Sequence, residues 1–232
     1  NASARMYIPE TSWNDTTAQG LVATGGGSSI YFPKPSWQTG TGVPKDGARD
    51  VPDVSFSASA NNDPYLLCSR DAQTNSPTCV NGFRDGGGFL TVFGGTSAGV
   101  PVFAGIVALL NQVANVPQGN VNPRLYAMAA ASPSSFHDIT TGDNKVPFRP
   151  STLSDCTPAG TVALGYSAGT GYDLVTGLGS INAQSFVTTW TSIAAPASGA
   201  NVTADFQMSL SPAALTVKRG ACGTTQLILT RP

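Results

Sequence analysis

Gly94-Gly95-Thr96-Ser97-Ala98-Gly99-Val100-Pro101 sets one serine in a glycine-rich turn directly ahead of an apolar run. A hydroxyl held there could attack a carbonyl carbon. The run before it, Gly88-Phe89-Leu90-Thr91-Val92-Phe93, reads as a strand. The run after it, Val102-Phe103-Ala104-Gly105-Ile106-Val107-Ala108-Leu109-Leu110, is almost wholly apolar and predicts a buried helix over residues 97–116. A serine on such a turn lies at a helix N-terminus, where backbone N–H groups can face a developing oxyanion. The glycines permit the sharp turn and the approach of a substrate. Pro101 falls in the first helical turn, where its missing N–H costs nothing. A plain helix N-cap would explain the same octapeptide without chemistry, because Ser and Thr are preferred caps.

A second pattern favours chemistry. Asp138-Ile139 is followed by Gly169-Thr170-Gly171-Tyr172-Asp173. Two carboxylates with main-chain carbonyls from glycine-rich loops suit a hard cation, and calcium takes six to eight oxygens in irregular geometry. Asp138 and Asp173 would neutralise its charge, and Gly169 and Gly171 leave their carbonyls free to turn inward. Aspartates beside glycines also brace turns and cap helices, so this pattern gains its weight from the serine motif.

Together these motifs resemble the sedolisin family, the serine-carboxyl peptidases that share the subtilisin fold. The resemblance runs over residues 10–190. It includes Glu10-Thr11-Ser12-Trp13-Asn14, Gly25-Gly26-Gly27-Ser28, and Phe32-Pro33-Lys34-Pro35-Ser36-Trp37-Gln38. It continues through Val51-Pro52-Asp53-Val54-Ser55, Asn122-Pro123-Arg124-Leu125-Tyr126, and Gly171-Tyr172-Asp173-Leu174-Val175-Thr176-Gly177-Leu178-Gly179. The resemblance implies an α/β, subtilisin-like parallel sheet with flanking helices, of which this chain would hold the C-terminal portion. It implies that Ser97 is the nucleophile of a peptidase acting at acidic pH. It also implies Ca2+ ligands on the Asp138 and Asp173 side chains and on the carbonyls of Ile139, Gly169 and Gly171. One departure is large. The family carries its catalytic Glu and partner Asp upstream of the serine as a Glu-x-x-x-Asp pair on a helix, and its oxyanion-hole Asp is upstream as well. The single Glu here is Glu10, and Asn14 stands four residues on. The resemblance therefore implies an obligate partner, an N-terminal fragment of the same precursor, with a protein or peptide as substrate.

Three other readings can be weighed. Gly95-Thr96-Ser97-Ala98-Gly99 also fits the G-x-S-x-G elbow of α/β-hydrolases. That fold needs an acid and then a histidine after the serine. His137 is the only histidine, and no acid lies between Ser97 and it. A conventional subtilisin with upstream Asp and His remains open. So does a calcium-stabilised surface module that is not catalytic.

Composition limits the partners. The chain has 232 residues, 11% of them charged, and a net charge of −1. No basic block points to nucleic acid or to an anionic membrane. No run of about 18 apolar residues is present, so no membrane span is expected. No signal-peptide pattern is expected either, and a start at Asn-Ala-Ser without Met suits a processed chain. Four cysteines suit an oxidising, extracellular setting. Cys68 and Cys79 are expected to bridge the base of a polar loop, and Cys156 and Cys222 are left over.

The elements that must position these residues follow in order. Residues 25–52 are rich in Gly and Pro and are expected as loops with short strands. Residues 51–58 alternate like a strand. Asn122-Pro123 is expected as N-cap and first residue of a helix, and Ser180 or Asn182 starts a last helix through Trp190. Trp13 and Trp37 are expected as packing anchors. Asp50 and Asp53 are expected to bond nearby backbone N–H groups, and Asp85 to brace a turn. The peptidase portion would occupy residues 1–194, a linker residues 195–205, and a partial immunoglobulin-like β extension residues 206–232. In that extension Phe206, Met208, Leu210, Leu215 and Val217 alternate with polar residues.

Overall fold

A computed structural model describes residues 7–18, 20–68, 70, 78–148, 162–194, 207–211 and 226–230. The chain divides into two units, Asn1–Ala195 and Pro196–Pro232.

The apolar run behind the serine forms α1 (Thr96–Ala114). Gly95 opens it at φ 102°, a left-handed value that glycine adopts without strain. Asn115, at φ 53°, closes it, and the Val116 N–H returns to the Asn111 carbonyl at 3.2 Å. Helix α2 (Asn122–Ala131) begins at Asn122 itself, so Pro123 is its second residue and Val121 flanks it. Helix α3 (Ala183–Thr189) is capped by the Asn182 side chain, which accepts from the Ser185 N–H at 3.2 Å, as the sequence predicts. A short 3-10 turn (Trp190–Ser192) extends it. The core forms where the three helices meet. Ile106 and Leu110 of α1 pack with Leu125, Tyr126 and Met128 of α2 and with Phe136, Phe186 and Trp190.

Among the described residues the strands pair only as antiparallel two-stranded ladders. β1 (Gly27–Pro33) pairs with β2 (Ala48–Val51), and β3 (Tyr65–Leu66) with β4 (Val92–Phe93). β5 (Phe136–His137) pairs with β8 (Ser180–Ile181), and β6 (Val146–Phe148) with β7 (Val162–Leu164). The fold is mixed α/β, but the expected parallel sheet is absent among the described residues. The one parallel contact among those residues is an isolated bridge between Ser55 and Ser180. There the Leu178 N–H donates to Asp53 O at 2.8 Å, and the Ser55 N–H to Gly179 O at 3.1 Å. The physical reason is pairing supply. Parallel neighbours must come from strands joined by long crossovers, and residues 53–58 find only that one parallel neighbour among the described residues. The strand expected over residues 51–58 therefore shrinks to β2 and an extended continuation.

Helix α1 also corrects the sequence reading. It was expected to be buried, yet Val100, Leu109 and Val113 are 69%, 48% and 48% exposed. Neighbours within the chain reach only one of its sides. At 19 residues and mean hydropathy 1.6 it is long and apolar enough to cross a membrane by length and composition, which the residue count had not suggested. Ile106 and Leu110 nevertheless sit in the core of the body.

Cys68 and Cys79 form the expected disulfide, with Cα atoms 4.7 Å apart. Cys156, Cys222 and the linker lie outside the described residues. Asp85 braces its turn as expected, accepting from the Gly87 and Phe89 N–H groups at 2.8 and 3.0 Å. Asp50 and Asp53 instead bond side chains. Asp50 is fully buried and pairs with Lys34 and Ser28. Asp53 pairs with Arg49 and accepts from Tyr126 OH at 2.8 Å and Asn122 Nδ2 at 3.2 Å. Trp37 is an anchor as expected, lying against Tyr126 with the Arg49 guanidinium 5.1 Å above its ring.

In the second unit β9 (Gln207–Ser211) and β10 (Gln226–Thr230) form one antiparallel ladder, from Gln207 against Thr230 to Ser211 against Gln226. Phe206, Leu215 and Val217 lie outside the described residues.

Candidate active site

Ser97 is the second residue of α1 and is exposed. Its turn is clamped from behind. The Gly95 N–H donates to Ala58 O at 2.6 Å. A Cβ on Gly94 would come 2.5 Å from Ala60 N and 2.6 Å from Ala58 O, so only glycine fits there. A Cβ on Gly99 would stand 3.1 Å from Phe56. The backbone thus holds Ser97 in place without using its side chain. Among the described residues its Oγ makes no hydrogen bond, and it does not cap the helix, which has no side-chain cap. Its N–H belongs to the first helical turn, where amides lack an intrahelical acceptor.

No proton acceptor reaches that hydroxyl among the described residues. His137 lies in β5 with its ring stacked on Tyr7 at 3.8 Å. Glu10 accepts from Ser180 Oγ, and its carbonyl accepts from Thr141 Oγ1 at 3.3 Å. The α/β-hydrolase reading therefore gains nothing from the structure.

The second cluster is brought together by one strap. The Gly171 N–H donates to Asp138 Oδ2 at 2.9 Å, across 33 residues of sequence. Asp173 is 8% exposed, and four donors fill its carboxylate. These are the Gly169 N–H at 3.0 Å, the Val175 and Thr176 N–H groups at 2.8 and 2.7 Å, and Thr176 Oγ1 at 3.1 Å. Neither Asp138 nor Asp173 pairs with a Lys or Arg among the described residues. The carbonyls of Ile139, Gly169 and Gly171 accept no hydrogen bond there either, although Ile139 is buried. No group of three or more His, Cys, Asp or Glu side chains gathers among the described residues. A cation here would have to take two carboxylates and main-chain oxygens. Such a set is all oxygen and lacks a cationic partner, as calcium prefers, but four donors of its own loop already occupy the Asp173 carboxylate. Thr176 escaped the sequence reading. The signal was available, since an Asp followed three residues later by Thr is a common side-chain-to-backbone turn.

An exposed serine at the head of an apolar helix, fixed by a glycine turn in a mixed α/β body, is what a serine peptidase needs on its nucleophile side. Over about three quarters of its length the chain is a partial homologue of the sedolisin-family peptidases. It is 38% identical over 185 residues to kumamolisin of Bacillus sp. (strain MN-32), covering 77% of this chain and 27% of that protein. It is 33% identical over 183 residues to sedolisin of Pseudomonas sp. (strain 101), covering 78% of this chain and 25% of that protein. A solved structure of Pseudomonas sedolisin, a serine-carboxyl proteinase complexed with pseudo-iodotyrostatin, aligns with a TM-score of 0.60 and 32% identity. That alignment covers 82% of this chain and 43% of the sedolisin chain. The chain thus spans about a quarter of the length of the curated relatives it matches. No protein-family model matches it.

Proposed function

We propose that this chain carries the nucleophile of a serine-carboxyl peptidase that hydrolyses peptide bonds in acid. The observation that carries the reading is Ser97, exposed at the first turn of α1 with an uncommitted hydroxyl. Its Oγ bonds to the scissile carbonyl carbon, and its proton passes to a glutamate supplied by the N-terminal portion of the same precursor. A second carboxylate orients that glutamate. The oxyanion takes the Ser97 N–H and an upstream protonated Asp. The C–N bond then breaks, the proton goes to the leaving amine, and water releases the acyl group. A carboxylate base with a reference pKa of about 4.3 still works where an imidazole near about 6.5 is already protonated. Asp138, Asp173 and the carbonyls of Ile139, Gly169 and Gly171 would hold Ca2+, whose charge would lock the two loops together. The disulfide suits secretion.

The test assembles the chain with the segment that precedes Asn1 in its precursor and assays a casein-type substrate at about pH 4, near the reference carboxylate range. Activity and trapping of Ser97 by a peptide aldehyde are expected, and Ser97→Ala should abolish both while leaving the melting temperature unchanged. An assembly inert to substrate and aldehyde throughout acid overturns the reading.

A further inference from the structure

Ser97 has no tether of its own. Its Oγ makes no hydrogen bond among the described residues, so the nucleophile stands wherever its turn puts it. That turn leans on Ala58-Ser59-Ala60. The Gly95 N–H donates to Ala58 O at 2.6 Å, and Gly94 lies too close to Ala58 O and Ala60 N to carry a side chain. The two residues that touch the turn therefore flank Ser59, which is itself buried.

Ser59 is fastened from a distant part of the chain. Its hydroxyl donates to Asp15 Oδ2 at 2.7 Å, across 44 residues, and accepts from the Asn61 and Asn62 N–H groups at 3.2 and 3.0 Å. Asp15 Oδ2 also takes the Trp13 indole N–H at 2.8 Å, and Oδ1 takes Asn62 Nδ2 at 3.2 Å. Asp15 pairs with no Lys or Arg among the described residues, so neutral donors alone meet its charge. Such donors bond an ionised carboxylate more strongly than a neutral acceptor. The anchor is fixed in turn. The Asp15 N–H donates to Val22 O at 2.7 Å, and Asn14 Nδ2 donates to Asp143 Oδ1 and Lys145 O, each at 3.0 Å.

We propose that Asp15 is a positioning residue for the nucleophile: it holds Ser59, and through Ala58 and Ala60 it sets where the Gly94-Gly95 turn presents Ser97. This rests on the reading above that Ser97 attacks a peptide carbonyl. A shift of about 1 Å in such a group costs about a hundredfold in rate, even when its cause lies away from the chemistry.

The experiment assembles each variant with the segment that precedes Asn1 in its precursor and measures hydrolysis of a chromogenic peptide at about pH 4. Asp15→Ala and Ser59→Ala should each lower kcat by about tenfold or more while KM stays within about threefold of the parent. Asp15→Asn keeps an oxygen for the Ser59 hydroxyl and the Trp13 N–H, and its kcat should recover to within about threefold of the parent. Asn182→Ala removes the cap of α3 and should lower the melting temperature with kcat unchanged. Amide exchange at Gly95, read by NMR on the same assemblies, should quicken in Asp15→Ala and Ser59→Ala and not in Asn182→Ala. Should Asp15→Ala not fold, Ser59→Ala decides alone. If the parent is active and the clamp variants keep its kcat, Asp15 does not position Ser97 and the peptidase reading stands. If Asn182→Ala loses as much kcat as they do, the effect is one of stability and the proposal is overturned. If the parent assembly is inert, both readings fall.

Discussion

Single residues already separate chemistry from bracing. Ser97 contributes no cap and no hydrogen bond to the described fold, whereas Asp173 serves four donors of its own loop. Replacing Asp173 by Asn keeps the shape and turns one acceptor into a donor. The Gly169 N–H then faces a donor, while the Thr176 hydroxyl can turn to accept, and a loss of about 1–3 kcal/mol is expected. If calcium binds there, the variant should also lose the rise in melting temperature that calcium gives the parent chain, since binding to the native state stabilises it by mass action. Calorimetry with calcium and with a chelator reads both effects. A parent chain whose melting temperature ignores calcium would count against the site. Asp15 gives a pH prediction. The Ser59 hydroxyl, at 2.7 Å, and next the Trp13 indole N–H hold its carboxyl below the ordinary value. A depressed folded pKa gives stability that is complete above the unfolded value of about 3.9 and is lost as pH falls through the folded one. Asp15→Asn should therefore be less stable than the parent near neutrality, and the gap should close in strong acid. Urea unfolding across that range checks the sign.

At the scale of elements, the serine turn depends on how closely α1 sits against the segment before it. Gly94 is pressed on the backbone of Ala58 and Ala60, so Gly94→Ala cannot be absorbed by a side-chain rotation. One strand or the turn must move, at a cost of about 1–3 kcal/mol as for other overpacked sites. The same move displaces Ser97. Activity of the assembled enzyme should therefore fall further than the loss of melting temperature alone explains, which activity and stability measured on one preparation would show. The loop carrying Asp173 is held in the same manner. Gly171 is at φ 79°, and a Cβ there would lie 2.6 Å from the Thr41 carbonyl.

At the scale of the molecule, much of the apolar surface has no partner within the chain. Ile30 and Tyr31 are 86% and 82% exposed, and Phe89, Leu90, Val92 and Phe93 are exposed around β4. Large apolar side chains exposed in such numbers are the raw material of an interaction surface. The lone chain is therefore expected to bind a hydrophobic dye strongly and to show no peptidase activity, because a serine hydroxyl is a weak nucleophile without an adjacent base. Adding the N-terminal portion should suppress the dye signal and restore hydrolysis together. A lone chain that hydrolyses casein through Ser97 would falsify the two-part reading.

The sequence by itself determined what depends on short stretches. The glycine-flanked serine, the apolar helix behind it, the Asn182 cap and the bridge between Cys68 and Cys79 were all legible because local rules govern them. The ordered motifs also carried the family, which the comparisons then showed. Tertiary structure decided what depends on distant neighbours. It covered only one side of α1, because apolar composition states a need for burial without saying whether this chain can meet it. It replaced a parallel sheet by antiparallel ladders, because pairing follows from which strands are present to be paired. It turned Asp50 and Asp53 toward side chains, and it brought the Gly171 amide to the Asp138 carboxylate across 33 residues. Such contacts are set by the path of the chain through space, and no spacing along the sequence encodes it.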